Sequence, residues 1–595
     1  MENLKPVWQL AFALPVVVAP LLTACGGDDN SSASSEPEAA PELSVDADSN
    51  HEISEITSLS GLTLAAGATL TPPSGHSLTM TVDNVETPIE SGNTYTGDVV
   101  LTPTDEIEIQ YLELDPHYFR TAVYVEDGAY VADKSVASAV DGGEVTDSAM
   151  TGTSITSVGD EFNGIMVTSS DGNTDAYKYA ISDVTMNMTG NGGNDFAGFG
   201  AAIYSSGYAD VSVSNANIVT EGAVRTAVFA GGNSIMRVED STIEVHNGTL
   251  PDDYVWNVDL GKMMEVPWML GLVGNSRATN LVESATAYYI NSTIKAQGWG
   301  ALSTDATVSL RLYCIDSVLE TEESGYGGYS IGDAIDTFSG CTINVNDYGL
   351  IMAAEGSGVF TDGTVVNSDR IGVMLHSNGS GNLTIERGSV FNTKEAIIQS
   401  KGSFPKISVK DSELNTDNGI ILQLMANDDP YFASFLEANP DLAGLFQGGD
   451  SIATADFTNM TLDGDIIHGN TAGGALEVSL NTSTLTGAIT TANTTFKYEA
   501  DGLAAGDVTS DQYGLIGQVV NEFAATTDDA GLSLTIDGTS TWVVDETSYL
   551  SSLTLAEGAT VTSPDGTTLT MLVDGVETAI TEGSYESVTL TVATN

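Results

Sequence analysis

One short pattern recurs along the middle of the chain: a polar residue, then a residue that is usually Ser or Thr, then an aliphatic one. It appears as "DVTM" ending at Met186, "NANI" at Ile218, "DSTI" at Ile243, "NSTI" at Ile294, "DSVL" at Leu319 and "GCTI" at Ile343. It continues as "DGTV" (Val365), "RGSV" (Val390), "DSEL" (Leu414), "NMTL" (Leu462) and "TSTL" (Leu485). Successive aliphatic residues lie about 22 to 25 apart, or near twice that where a segment intervenes, with one looser step near the start. Most units carry a second apolar run a few places on, opened by a small residue: "GALS", "GYSI", "GLIM", "GVML", "AIIQ", "GIIL". These runs are short and rich in aliphatics, with Gly, Asn, Asp and Ser between them, and helical periodicity is nearly absent. A unit of this size is too short for a propeller blade and cannot bury its apolar face alone. Stacked on neighbours about 4.8 Å above and below, it can. The pattern predicts an all-β solenoid, a parallel β-helix, right-handed as parallel crossovers nearly always are.

In period and strand texture, over about residues 130 to 545, the chain resembles the right-handed parallel β-helices. These include pectate-lyase-like enzymes, phage tailspikes and autotransporter passengers. A stacked array of β-sandwich adhesin domains would need periods nearer 80 to 100 residues. Two similar stretches flank the coil: "LTLAAGATLTPPSGHSLTMTVDNVETPI" from Leu62 and "LTLAEGATVTSPDGTTLTMLVDGVETAI" from Leu553. Both alternate apolar and polar residues around Gly-containing turns. A solenoid has two open ends whose unpaired edges invite aggregation, so terminal pieces must differ from central ones. The two modules read as end pieces of the coil, with a pair of ligand-binding modules as the alternative. The expected organisation is residues 51–104 and 545–595 as two homologous small β modules, and 105–544 as β-helix with loop insertions near 247–281 and 427–450. The second insertion contains a helix-like "FASFLEANPDLAGLF".

At the N-terminus, Lys5 precedes an apolar run from Val7 to Leu22 that ends in Leu22-Thr23-Ala24-Cys25-Gly26-Gly27. A run this short, interrupted by Pro15 and Pro20, is a poor permanent membrane span. It resembles a bacterial lipoprotein signal. That resemblance implies cleavage of residues 1–24, lipidation at Cys25, and anchoring in the cell envelope by two or three acyl chains. Gly26 after the cysteine implies the outer membrane or cell surface of a Gram-negative cell. Residues 25–50 then read as a flexible tether of Gly, Ser, Pro and acids.

With 82 acidic residues against 17 basic ones, and a net charge of −65, the chain repels phosphate backbones. Nucleic acid is excluded as a partner. Such acidity is also a solubility device in salty media. Weak calcium sites between Asp-rich turns are compatible with it, yet no ligand set is identifiable, and no other cofactor is expected. Cys341 stands in the slot before the Thr-Ile pair, whereas Cys314 stands three residues earlier in its own unit. Three strand residues amount to about 10 Å, beyond the Cα separation a disulfide tolerates. Two buried free thiols are therefore expected.

Stacking converts sequence columns into spatial rows. Four to six places beyond Gly300, Gly328, Gly349, Gly372 and Ala396 stand Asp305, Asp333, Glu355, His376 and Lys401. One ionisable group per coil would form a row whose pKa values couple toward acid–base work, unless the strand ends simply turn into solvent. Residues Arg370 to Lys410 hold the only cluster of bases that could face an anionic substrate. If the chain is an enzyme, His376 is the proton acceptor and Asp333 its carboxylate partner or a metal ligand. Asp305 adds a further acid, and Arg370 or Lys401 neutralises substrate charge. Trp256 and Trp268, from the first insertion, with Trp299, Tyr326 and Tyr329 on the coils between, suit stacking on sugar rings. Equally, these apolar residues would serve as a cover packed onto the wall. The polygalacturonase motif set is only echoed, in Asn415-Thr416-Asp417, Asp428-Asp429 and His468-Gly469. The spacings do not match single coils, and no Arg-x-Lys follows.

The leading expectation is a surface-anchored binding or adhesion protein for glycans or other surface ligands. The alternative is a carbohydrate-active enzyme, a lyase, epimerase or hydrolase of acidic glycans, with its site between Asp333 and Lys401. A purely structural layer component is the third.

Overall fold

Every coil turns on a corner that few residue types can make. The computed structural model describes residues 40–111, 114, 116–170, 172–258, 261–305, 309–376, 379–431, 452–525 and 531–594. Cys25 and the helix-like stretch of the second insertion lie outside them. The polar residue that opens the repeated pattern is left-handed: φ is +54° at Asp183, +52° at Asn215, +51° at Asp240, +46° at Asn291 and +48° at Asp316. Asn and Asp reach this region at low cost, which is why they occupy the slot. The next slot is filled by a small side chain that points inward, and Ser241, Ser292, Ser317 and Thr364 are all buried there. Their hydroxyls accept backbone N–H groups from the neighbouring coil. Ala216 donates to Ser241 Oγ at 3.1 Å, Ser241 to Ser292 Oγ at 3.1 Å, and Ser292 to Ser317 Oγ at 3.0 Å. Corner amides that no strand pairs are satisfied in this way.

The aliphatic residue then faces the interior. Met186, Ile218, Ile243, Ile294, Leu319 and Ile343 pair one to the next in parallel register, and the column runs on through Val366, Phe391 and Leu414. Two slots of the sequence pattern are thereby corrected. Val365 pairs with Thr342, and Val390 pairs with Glu413, one place before the inward column. The cause is a longer corner: Asp362-Gly363 and Arg387-Gly388 each place two residues at positive φ, so the strand starts one residue late.

Three walls result, making a parallel β-helix. The aliphatic strands up to Glu413–Thr416 belong to a 16-stranded sheet, those of Leu462 and Leu485 to a separate 4-stranded sheet, and the strands before each corner to an 18-stranded sheet. The third wall is shared by a 7-stranded sheet, ending at Thr279–Leu281, and a 9-stranded sheet that begins at Gly300–Ser303. The core between the walls is continuous and apolar, with stacked rings such as Phe338 on Phe360 at 5.0 Å. One acid intrudes on it. Asp336, paired between Leu312 and Gly358, is fully buried and neither carboxyl oxygen has a hydrogen-bond partner. Burial raises its carboxyl well above the ordinary range, so it folds as the neutral acid.

The structure joins Cys314 and Cys341 in a disulfide, with Cα atoms 6.6 Å apart, in place of the expected free thiols. The spacing estimate assumed that the three-residue offset runs along one strand. It runs around a corner instead: Cys314 pairs with Phe338, and the chain then turns at Gly340, φ +67°, to bring Cys341 back beside it.

At the N-terminal end, strand Val85–Thr87 of the first module pairs in parallel with Ser154–Ser157 of the coil. At the C-terminal end, Leu532–Ile536 stacks on Ala475–Asn481, and Ser548–Leu555 stacks on Leu532–Ile536. The second module thus continues the 18-stranded sheet.

Two outcomes follow from this core. In denatured but unreduced protein, thiol alkylation is expected to label neither Cys314 nor Cys341; labelling of either in most molecules would contradict the pairing. A raised folded pKa stabilises below the unfolded value of 3.8 and loses that contribution as pH rises. Asp336→Asn is therefore expected to melt like wild type near pH 3.5 and increasingly above it as pH rises, measured by thermal unfolding across a pH series.

Candidate functional site

The five ionisable residues predicted to share a row do not share one. A column through parallel strands is set by hydrogen-bond register, and here it reads Ile331, Ala353, His376, Lys401. Asp333 and Glu355 lie two residues further along their coils, past the strand ends, and both are exposed. Asp333 meets Ser309 Oγ at 3.1 Å and Arg311 at 3.9 Å rather than His376. Counting from the small residue failed because the counts differ within one register: Gly349 stands level with Gly372, yet Glu355 lies six places on and His376 four.

Of the predicted group, only His376 and Lys401 are neighbours. Lys401 is 1% exposed, and its Nζ lies 2.5 Å from Asp428 Oδ1. Burial and the adjacent Lys401 lower the His376 pKa to about 3, so its imidazole is neutral and a weak base at ordinary pH. Arg370 acts as a tie. Its Nη1 donates to Gly271 O at 2.6 Å and its Nη2 to Ile516 O at 2.5 Å, pinning two covering segments to the third wall.

Asp305 belongs to a different cluster. Arg277 Nε lies 2.6 Å from Asp195 Oδ2, and its Nη1 contacts Asp305. The guanidinium sits between the rings of Phe196, at 4.7 Å, and Trp299, at 4.8 Å. Burial works against the Arg277 charge, yet Asp195 and Asp305 outweigh it and hold the guanidinium well above its ordinary range. Burial and the same two carboxylates push the Tyr111 phenol up to about 12. Trp299 takes φ +63°, a strained conformation for so large a residue, and donates its N–H to Val273 O at 3.0 Å.

The aromatic residues predicted to meet sugars mostly form the cover. Trp268, Trp299 and Tyr326 are 7%, 3% and 1% exposed, while Trp256 and Tyr329 are half-buried. Trp268 packs with Met269, Tyr498 and Ile516; Trp299 and Tyr326 pack with Met263, Leu272 and Tyr348. Burying these rings is what holds the first insertion and the segment around 498–516 against the wall. Their faces are spent on protein rather than offered to a ligand.

The open feature lies on the outer face of the aliphatic wall, and the sequence reading missed it. Asn344, Asn367, Asn392 and Asn415 stand directly above one another. Each carboxamide donates to the one before: Asn367 to Asn344 Oδ1 at 2.8 Å, Asn392 to Asn367 Oδ1 at 2.8 Å, and Asn415 to Asn392 Oδ1 at 2.9 Å. An amide has two N–H groups and two lone pairs, so these bonds use half of each interior rung. The remainder opens on a shallow groove of about 500 Å³, lined also by Thr321, Asn346, Asp369 and Lys394. The signal was present as "TIN", "VVN", "VFN" and "ELN", with sequence steps of 23, 25 and 23. It stands one place beyond the inward column, where attention to the core did not reach.

Among the described residues no three His, Cys, Asp or Glu side chains gather as a metal site. No known protein family, no curated protein and no solved structure matches the chain.

Breaking the buried ion pair on one side should be costly. Asp428→Asn, which leaves the Lys401 ammonium buried alone, is expected to destabilise by about 3–5 kcal/mol, and Lys401→Met combined with Asp428→Leu to recover most of it. Thermal or urea unfolding of the three proteins reads this directly.

Proposed function

We propose that this chain is a binding protein of the cell envelope, tethered through lipid on Cys25, and that it holds a linear, hydroxyl-rich glycan along its outer face. The amide stack carries this reading. It offers unspent donors and acceptors at the coil repeat of about 4.8 Å, close to the length of one pyranose unit in an extended chain. Sugar hydroxyls are both donors and acceptors and match such a surface rung by rung. The net charge of −65 favours neutral glycans over uronates.

Two further observations support binding over catalysis. His376 and Lys401 lie under a cover, and Asp333 points to solvent away from them. The acids and bases of the wall pair with one another, as Lys401 does with Asp428 and Arg277 with Asp195.

The test is retention on a panel of linear polysaccharides by affinity electrophoresis, followed by titration calorimetry with the best one. Asn367→Ala combined with Asn392→Ala should weaken binding by roughly tenfold or more, as the loss of about two net hydrogen bonds requires, while a cooperative melting transition persists, lowered only by the ladder bonds the two amides also made. Release of unsaturated uronates or new reducing ends from any member of the panel would overturn the binding reading in favour of an enzyme.

A further inference from the structure

The duplication between the two ends reaches further than the sequence similarity. Leu62 corresponds to Leu553, an offset of 491, and the same offset relates the strands of the two modules up to the last, where Thr94–Asp105 corresponds to Gly583–Thr594. Thr57–Leu64 corresponds to Ser548–Leu555, His76–Val82 to Thr567–Val573, and Val85–Thr87 to Val576–Thr578. It also relates Glu42–Val45 and Asn50–Glu52 to the coil strands at Leu532–Ile536 and Thr541–Val543, which pair with their own modules in the same way. Each end therefore contains two strands of a coil followed by one module.

The two copies differ in which edge is used. In the N-terminal copy the hairpin strand Val85–Thr87 seats the β-helix, with Val158 donating its N–H to Glu86 O at 2.9 Å. The Glu86 carboxylate is fully buried, and it accepts from Ser157 Oγ at 2.8 Å and Gly159 N at 3.0 Å. In the C-terminal copy the equivalent strand Val576–Thr578 pairs only with its hairpin partner; Val576 is 66% exposed and Glu577 is exposed. Conversely, Leu532–Ile536 and Thr541–Val543 pair outward with the last coils of the helix, at Ala475–Asn481 and Thr484–Thr486. Among the described residues their N-terminal counterparts, Glu42–Val45 and Asn50–Glu52, have no strand on that side. Each end of the molecule thus leaves open an edge whose twin is filled inside the same chain.

We propose that these edges bind each other, so that a second copy of this chain docks head to tail, strand Val576–Thr578 of one molecule pairing in parallel with Asn50–Glu52 of the next. The geometry repeats an interface the chain already makes, because Asn50–Glu52 follows the corner at Asp48, φ +56°, as Ser154–Ser157 follows the corner at Gly152, φ +65°. Aligning the two corners places the outward backbone of Glu577 between those of Glu52 and Ser54, as Glu86 lies between Thr156 and Val158. A head-to-tail contact does not close, so the product is a filament. Both ends are acidic, with Glu42, Asp46, Asp48 and Glu52 on one and Asp574, Glu577 and Glu582 on the other. Like charge keeps molecules apart until salt screens it. The Debye length falls from about 30 Å at 0.01 M to about 3 Å at 1 M.

Residues 26–595, which contain the compact unit Pro41–Asn595, are suited to the test by sedimentation velocity. Monomers are expected at about 0.01 M NaCl and concentration-dependent oligomers at about 1 M. Proline removes an outward N–H from an edge strand without touching the inner pairing. Glu577→Pro blocks one end and Ser54→Pro the other, so each variant alone should remain monomeric at high salt, whereas an equimolar mixture should form dimers through the intact ends. Dimers in the mixture also show that both variants are folded. Wild type that stays monomeric at every salt concentration overturns the proposal, as do variants that assemble like wild type or a mixture that yields no dimer while both variants keep the wild-type melting curve.

Discussion

The hydrogen bonds between one coil and the next carry the whole architecture. Most strands of the three walls meet a strand of the coil before and the coil after in parallel, the aliphatic wall being interrupted between Glu413–Thr416 and Thr461–Asp463. Because neighbours touch only above and below, any regularity in one coil becomes a row along the axis. The inward aliphatic column, the hydroxyl stack inside the corner and the amide stack outside are three products of the same constraint. Corner chemistry makes it possible. An Asp or Asn in left-handed backbone turns the chain, and the hydroxyl beside it receives an amide that would otherwise be buried without a partner.

The third wall shows what a solenoid must add when a wall is too apolar to face water. On its outer side stand aromatic rings, two buried ion-pair groups and a histidine held neutral. The first insertion and the segment around 498–516 lie over them, tied by Arg370 to Gly271 and Ile516 and by Tyr348 Oη to Leu270 O at 2.9 Å. Charges so enclosed add little net stability, since desolvation offsets their attraction, but removing one member exposes the full cost of the other. Their arrangement fixes where the covering segments sit. The amide face is the opposite case: polar enough to be stable in water without a cover, and regular enough to match a regular partner.

The ends obey the same logic. A coil that is not the last needs a neighbour on each side, and a terminal one needs a substitute. The N-terminal module supplies a hairpin strand and the buried Glu86, which also meets Arg120 at 3.0 Å. The C-terminal module turns the sheet antiparallel, from Ser548–Leu555 to the long strand Gly583–Thr594. Joining one duplicated piece to the coil by different edges leaves, among the described residues, edge strands unpaired at both ends, and short strands flanked by acids are how such edges are kept soluble.

Period, strand texture and the residue types at the corners were all legible in the amino-acid sequence, because a solenoid places its interactions at a fixed spacing that survives projection onto one dimension. Ile294, Leu319 and Ile343 could be aligned by eye and do stack. What could not be read is whatever depends on how a corner is cut. One extra glycine moved Val365 and Val390 off the inward column, and the corner at Gly340 brought Cys341 beside Cys314. Hydrogen-bond register decided that His376 and Lys401 share a column while Asp333 and Glu355 do not. Which face of a wall is covered was also undecided until the chain folded, since Trp268 or Trp299 reads alike as lid or as binding platform. Register and long-range packing choose between those readings, and both arise from contacts between residues far apart in the chain.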